Sequence, residues 1–210
     1  MQYNQQHRRK VAVYIDGFNL YFAIKEKKWN SLLWVDMVRL ANSLVRPDQE
    51  LVGVKYFTAR IRNDRDKQKR QNLFLDALGT LQGLKIFYGY YQDNYVICRG
   101  CGRGWNDDKE KETDVSIATQ MLIDAHTPNF VDDIILITAD SDQCPAIRAL
   151  RALGKHVLVV LPPGRSQYLE IKTAADSHIE LTAKKLKCSQ LPERITTPTG
   201  FVIEKPMEYR

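Results

Sequence analysis

The chain has 210 residues, 44% of them hydrophobic, with 31 Lys and Arg against 25 Asp and Glu and a formal net charge of +6. That length suits one well-packed domain, and the basic balance favours a polyanionic partner, because positive surface concentrates phosphates. Four cysteines with one close pair argue against a disulfide framework, while the polar residues 1–9 lack a signal-peptide core and no apolar run approaches the roughly 20 residues of a membrane span, so a cytoplasmic protein with no membrane partner is expected.

Residues 1–9 read as a frayed tail. Val11-Ala12-Val13-Tyr14-Ile15 is an unbroken apolar run of the kind that a strand buried on both faces requires, and it stops at Asp16, with Gly17 and Asn19 in the turn beyond. Residues 18–24 can begin a helix with Asn19 near its N-terminus. Between Trp34 and Leu44 the apolar residues recur at spacings of three and four, which predicts an amphipathic helix ended at Pro47. Residues 51–59, rich in Val, Tyr and Phe, predict a strand. The next stretch carries Arg60, Arg62, Arg65, Lys67, Lys69 and Arg70 and continues through Leu73, Phe74, Ala77 and Leu78 to Gly79, a suitable helix C-cap.

Residues 84–91 predict an aromatic-rich strand. The Cys- and Gly-rich insertion at 93–112 is expected to be an excursion, a hairpin, because its glycines suit no helix interior. Thr113 is the expected N-cap of a helix that turns Val115, Ala118, Met121, Leu122 and Ala125 inward, with Asp114 in its first turn. The run from Asp132 to Ile137 is a second strand buried on both faces, ending in Thr138-Ala139-Asp140-Ser141-Asp142. A helix over 145–153 closed by Gly154, a strand over 156–161, a helix over 169–175 and a short strand over 179–181 complete a domain spanning 10–187. Residues 188–210 are expected to be an irregular tail. Strands alternating with helices give the α/β class: a three-layer α/β/α fold with a mainly parallel central sheet.

Open α/β sheets bind ligands beyond the carboxyl ends of their strands, where Asp16, Asp140 and Asp142 fall. Carboxylates gathered in a basic chain suit a hard divalent cation, which takes oxygen ligands; Asp114 and the neutral donor Asn19 complete the candidate set. Asp114 is the weakest of these on spacing alone, since an acid in a helix's first turn is favourable without any ligand. Rival chemistries leave no trace: there is no P-loop, no G-x-G-x-x-G between strand and helix, no H-E-x-x-H and no nucleophile elbow, and Phe18 stands where an aspartate-nucleophile phosphatase carries its second acid. Metal-assisted phosphoryl chemistry and a non-catalytic binding surface remain.

Tyr14-Ile15-Asp16-Gly17-Phe18-Asn19-Leu20, Lys111-Glu112-Thr113-Asp114-Val115 and Thr138-Ala139-Asp140-Ser141-Asp142 resemble, in order and spacing, the three motifs of the NYN domain, a branch of the PIN-like nucleases, in its bacterial LabA-like form. The resemblance implies a PIN-like fold and Mg²⁺- or Mn²⁺-dependent hydrolysis of RNA phosphodiester bonds. By position it implies Asp16, Asp114, Asp140 and Asp142 as catalytic residues that hold the metal together with Asn19. Ala139 replaces an expected glycine without loss of a ligand. The alternatives are an inactive RNA-binding or assembly module of the same fold and a metal-dependent hydrolase of a small phosphorylated molecule. The excess of Arg and Lys favours the longer polyanion.

Cys98 and Cys101 form half of a zinc site, and structural zinc takes four ligands, so a reduced hairpin or redox-sensitive pair is the favoured reading. Arg99, Arg103 and Trp105 in that loop, with Lys111 beyond it, are candidates to contact and stack on single-stranded RNA. Arg62, Arg65, Lys69 and Arg70 are candidates to track a phosphate backbone, although a charge run is most often a solvated helix face. The sequence leaves a homo-oligomer open.

Overall fold

The computed structural model describes residues 8–62, 64–92, 95–106 and 109–210. In chain order the elements are β1 (Arg9–Asp16), α1 (Gly17–Glu26), α2 (Met37–Asn42), β2 (Gln49–Ala59), α3 (Arg65–Gly79), β3 (Leu84–Gln92), β4 (Tyr95–Ile97), β5 (Gly104–Asn106), β6 (Lys109–Lys111) and α4 (Thr113–His126). They continue as β7 (Asp133–Ile137), α5 (Cys144–Ala152), β8 (His156–Leu161), α6 (Leu169–Ala174), β9 (Ser177–Glu180), α7 (Ala183–Cys188), β10 (Arg194–Thr196) and β11 (Val202–Glu204).

The central sheet is seven-stranded in the order β6-β3-β2-β1-β7-β8-β9. Its six longer strands are parallel to their neighbours, and β6 alone pairs antiparallel, on the edge strand β3. Alternate residues of each central strand feed two cores. Val11, Val13, Ile15, Ile135 and Ile137 pack with α1, α2 and α3, whereas Ala12, Tyr14, Ile134 and Leu136 pack with α4, α5 and α6. Both faces are therefore apolar, which is why these strands read as continuous hydrophobic runs. From β1 the chain winds outward through β2 and β3 on one side and through β7, β8 and β9 on the other. The order reverses between β1 and β7, and in such sheets a crevice opens at that point beyond the carboxyl ends of the strands.

Several local expectations are corrected. The second helix is shorter than its apolar pattern, because Asp36 takes the N-cap and accepts from Arg39 N at 2.8 Å. Basic residues 60–62 precede α3, whose N-cap is Asp64, and Gly79 is the last helical residue rather than the cap, which is Thr80. Thr113 is inside α4; the N-cap is Glu112, held in the left-handed region at φ 74° with no side-chain cap. The insertion does contain a hairpin, β4 against β5, although residues 93–94 and 107–108 lie outside the described residues. At the N-terminus Arg9 already belongs to β1, and residues 1–7 of the expected tail lie outside the described residues.

The segment from 188 onward is the largest difference. It forms the β10–β11 hairpin, and Leu191, Ile203 and Tyr209 enter the core on the α1 and α3 face. Trp34 Nε1 donates to the Pro192 carbonyl at 2.8 Å and Asp36 N to the Ser189 carbonyl at 2.7 Å, so this end is fastened to the start of α2. Strands of three residues with turns rich in Pro and Thr carry too little periodicity to be read from sequence.

Candidate functional site

The site is built at the reversal between β1 and β7. Asp16 ends β1 and caps α1, with Oδ1 accepting from Asn19 N at 3.0 Å and Oδ2 accepting from Thr138 Oγ1 at 2.9 Å. Only 5% of Asp16 is exposed. Thr138 Oγ1 also accepts from Asp140 N at 3.1 Å, and Asn19 Oδ1 accepts from Ala139 N at 3.0 Å, so the two motifs are stitched together across the crevice. Asp140 Oδ1 accepts from Asp142 N at 2.9 Å, which closes the turn after β7.

Close backbone approach sets the frame. A Cβ on Gly17 would stand 2.6 Å from the Phe57 carbonyl and from the Tyr56 ring, so only glycine lets α1 start this near β2. A Cβ on Gly89 would stand 2.6 Å from the Lys111 carbonyl and from Thr113 Oγ1; glycine there lets the β6–α4 junction lie against β3. That junction delivers Asp114. Gln143, 1% exposed, donates from Nε2 to the Asp114 carbonyl at 3.0 Å and ties the start of α4 to the turn that carries Asp140.

Asp16, Asn19, Asp114 and Asp140 line one cleft of about 340 Å³, shared with Phe18, Phe22, Glu26 and Arg165. Asp142 is exposed beside it, and its charge is felt within. Desolvation of the Asp114 carboxyl, then the charges of Asp140 and Asp142, push its pKa above the ordinary carboxylate range. The residue as a whole is exposed, so the desolvation is that of a carboxyl turned into the cleft. Arg165, from the turn after β8, lines the same cleft and is held by Glu26 of α1 at 2.8 Å.

Oxygen donors under mutual repulsion are the donor chemistry that a hard divalent ion selects. Among the described residues, no group of three or more His, Cys, Asp or Glu side chains stands close enough to hold an ion on its own. The carboxylates share a cleft without converging on a point. That openness is compatible in chemistry with Mg²⁺, which retains waters between itself and part of its ligand set.

Other expected residues are dispersed. Arg62 and Arg70 line a second, larger pocket beside the cleft, whereas Arg65 and Lys69 are exposed on α3. Arg99, Arg103 and Lys111 are exposed, and the Trp105 side chain lies outside the described residues. Cys98 and Cys101 are free thiols, and backbone amides of Cys101 and Gly100 hold the Cys98 thiol below its usual pKa. Sequence reasoning missed Arg165 and Glu26, which reach the cleft from 139 residues apart, and the positioning residues Thr138 and Gln143. The signal for Arg165 was its place in the loop after a strand, Pro162-Pro163-Gly164-Arg165, at the ligand-binding edge.

The NYN domain profile matches residues 10–182 of this chain. The chain belongs to the NYN domain family. This family is a PIN-like nuclease family, and the three motifs that suggested it are those brought to the cleft. Low amplitude and bright protein LabA of Synechococcus elongatus is 28% identical over 179 residues, covering 82% of this chain and 83% of LabA. The 6-hydroxy-3-succinoylpyridine 3-monooxygenase HspA of Pseudomonas putida is 27% identical over 225 residues, covering 89% of this chain and 71% of HspA. A crystal structure of a protein of unknown function from Vibrio parahaemolyticus superposes with a TM-score of 0.55 at 21% identity, covering 91% of this chain and 100% of that one, which establishes the α/β fold. No helix among the described residues is long and apolar enough to cross a membrane.

Proposed function

We propose that this NYN domain protein hydrolyses phosphodiester bonds of single-stranded RNA with Mg²⁺ or Mn²⁺ held by Asp16, Asp114, Asp140 and Asp142, with Asn19 as a positioning residue and auxiliary oxygen donor. The observation that carries the reading is the placement of Asp16, Asp114 and Asp140 around one cleft at the reversal of the sheet, which Arg165 also lines. A divalent ion, when bound, supplies Lewis-acid activation of water and neutralises charge on the phosphate.

The rest is the work of the chain. Asp16 is held in a single orientation by the Asn19 amide and the Thr138 hydroxyl, so its acceptor geometry is set before substrate arrives. Gln143 fixes the backbone at Asp114 against the turn bearing Asp140. Arg165, oriented by Glu26, is placed to donate to non-bridging phosphate oxygens, which guanidinium groups match in a bidentate fashion. A strand of RNA entering the cleft therefore meets a cationic side chain as well as the carboxylates.

The test is incubation of purified protein with labelled single-stranded RNA and DNA in Mn²⁺, Mg²⁺ or chelator, beside Asp140→Asn. Cleavage of RNA that needs the metal and is lost in the variant supports the reading; RNA bound but never cut supports the inactive module. A second reading, a small aromatic acid as substrate, is favoured by the large aromatic pocket beside the cleft and by the likeness to HspA, whose name gives a pyridine as its substrate.

A further inference from the structure

Beside the carboxylate cleft lies a pocket of about 580 Å³ whose walls include Phe18, Phe22, Tyr56, Phe74 and Tyr209. Its size is within the range of ligand sites, roughly 300–1,000 Å³. It is not a separate feature of the fold: Phe18 and Phe22 line both the pocket and the cleft. Their rings stack at 6.1 Å between centroids with planes 20° apart, which makes a flat wall between the two spaces. Tyr56 closes the join, since its ring lies against Gly17, the residue after Asp16.

The pocket's lining is basic on balance. Lys25, Arg62, Lys67 and Arg70 line it against the single acid Asp64, which pairs with Lys67 at 2.9 Å, and Lys25 lies 5.7 Å from the centre of the neighbouring Tyr21 ring. The chain end that sequence reading treated as a tail supplies its floor, with Tyr209 8% exposed and Glu208 holding Arg70 at 3.0 Å. Flat aromatic walls, basic side chains and a shared border with a phosphate-directed cleft are complementary to one kind of ligand: a planar ring with an anionic group on each side.

We propose that this pocket is a nucleobase subsite, which receives the unstacked base of the nucleotide next to the phosphate in the carboxylate cleft, with the following phosphates drawn to the basic side chains of the lining. The proposal rests on the phosphodiester reading given above and adds what selects single strands: a paired, stacked base cannot enter. Stacking on aromatic side chains tolerates any base, because every base has a π face. Phe22, 49% exposed on α1, is the residue that links base to phosphate, and it can be changed with little effect on the core.

The experiment uses the full chain in chelator, so that nothing is cut, and a single-stranded RNA pentamer carrying 2-aminopurine or an abasic unit at each position in turn. The expected result is saturable quenching of 2-aminopurine at one position and affinity about tenfold lower for the abasic unit at that same position. Phe22→Ala should lose a similar factor at that position alone, and Phe22→Tyr, which keeps the ring, should retain wild-type affinity. Abasic pentamers that all bind as tightly as the intact one would overturn the proposal. So would displacement of the 2-aminopurine signal by 6-hydroxynicotinate at lower concentrations than by unlabelled pentamer, which would give the pocket to small aromatic acids. The two readings separate in a parallel Mn²⁺ assay. Equal cleavage of intact and abasic RNA rejects the base subsite and leaves the nuclease standing, whereas base-dependent, Phe22-dependent binding with no cleavage under any metal supports the subsite and rejects the nuclease.

Discussion

The two ends of the central sheet carry the same residue type in opposite circumstances. At the amino end of β7, Asp133 is 1% exposed and accepts from Arg9 Nε at 3.0 Å and from Gln49 Nε2 at 2.6 Å, with Arg46 at 3.7 Å. Asp132 beside it accepts from Lys10 N at 2.8 Å. Burial pushes the Asp133 pKa up, but the Arg9 and Gln49 hydrogen bonds outweigh it and hold the carboxyl below its ordinary range. At the carboxyl end, Asp114 shifts the other way, and among the described residues no Lys or Arg forms an ion pair with Asp114, Asp140 or Asp142. In the middle, Asp124 is satisfied again, by Lys55, Tyr14 and, at 3.1 Å, Gln120. Carboxylates that hold the fold are neutralised inside the chain, whereas Asp114, Asp140 and Asp142 form no ion pair with Lys or Arg among the described residues.

The strongest way to break this comparison is to exchange one acid at each end. Asp140→Asn should lower RNA cleavage by more than about a hundredfold, since even residues that merely orient metal ligands are worth 10–100-fold, while Asp133→Asn should leave the rate per folded molecule unchanged. Single-turnover rates on labelled RNA decide it. The stabilities should invert. Losing its charged hydrogen bonds, Asp133→Asn should unfold about 2 kcal/mol more easily in chelator. Asp140→Asn, relieved of like charge, should melt at or above the wild-type temperature in chelator and gain less from Mn²⁺. An Asp140→Asn protein that melts lower in chelator and still cuts at the wild-type rate would reverse the assignment of the two ends.

Acid sharpens the same contrast. Because the folded pKa of Asp133 is depressed, its contribution is present above the ordinary carboxylate pKa of about 4 and is lost as the pH falls through the lower folded value. Melting temperatures followed downward from pH 7 should therefore fall most steeply below about pH 4 in the wild type, and less steeply in Asp133→Asn. The smallest effect concerns cations. Arg165→Ala breaks an exposed pair with Glu26 and should change stability by less than about 1 kcal/mol, yet it should reduce the salt slope of single-stranded RNA binding by about 0.7. Arg46→Ala, at the other end of the sheet, should leave that slope untouched.

What the sequence determined by itself was whatever depends on neighbours in the chain. The unbroken apolar runs at 11–15 and 134–137 marked strands covered on both faces, and the carboxylates at their ends followed from strand direction. Three short motifs sufficed for the family. Asp133 and Asp140 look alike in the sequence, each an acid at an end of the same apolar run. Only the tertiary structure distinguished them, because Arg9 and Gln49 come from 124 and 84 residues away. Thr113 fits the local rule for a cap, whereas in the structure the cap is Glu112, one residue earlier and in a left-handed conformation, at the junction that lies against Gly89. Arg165, Glu26 and the aromatic wall of Phe18 and Phe22 share a cleft only once β1 and β8 lie in one sheet. The last residues carry too little periodicity to announce two three-residue strands, yet Ile203 and Tyr209 join the core that α1 and α3 pack on, and Tyr209 lines the larger pocket. Chain-local patterning fixes which segments are buried; which side chains meet depends on contacts whose partners the sequence keeps far apart.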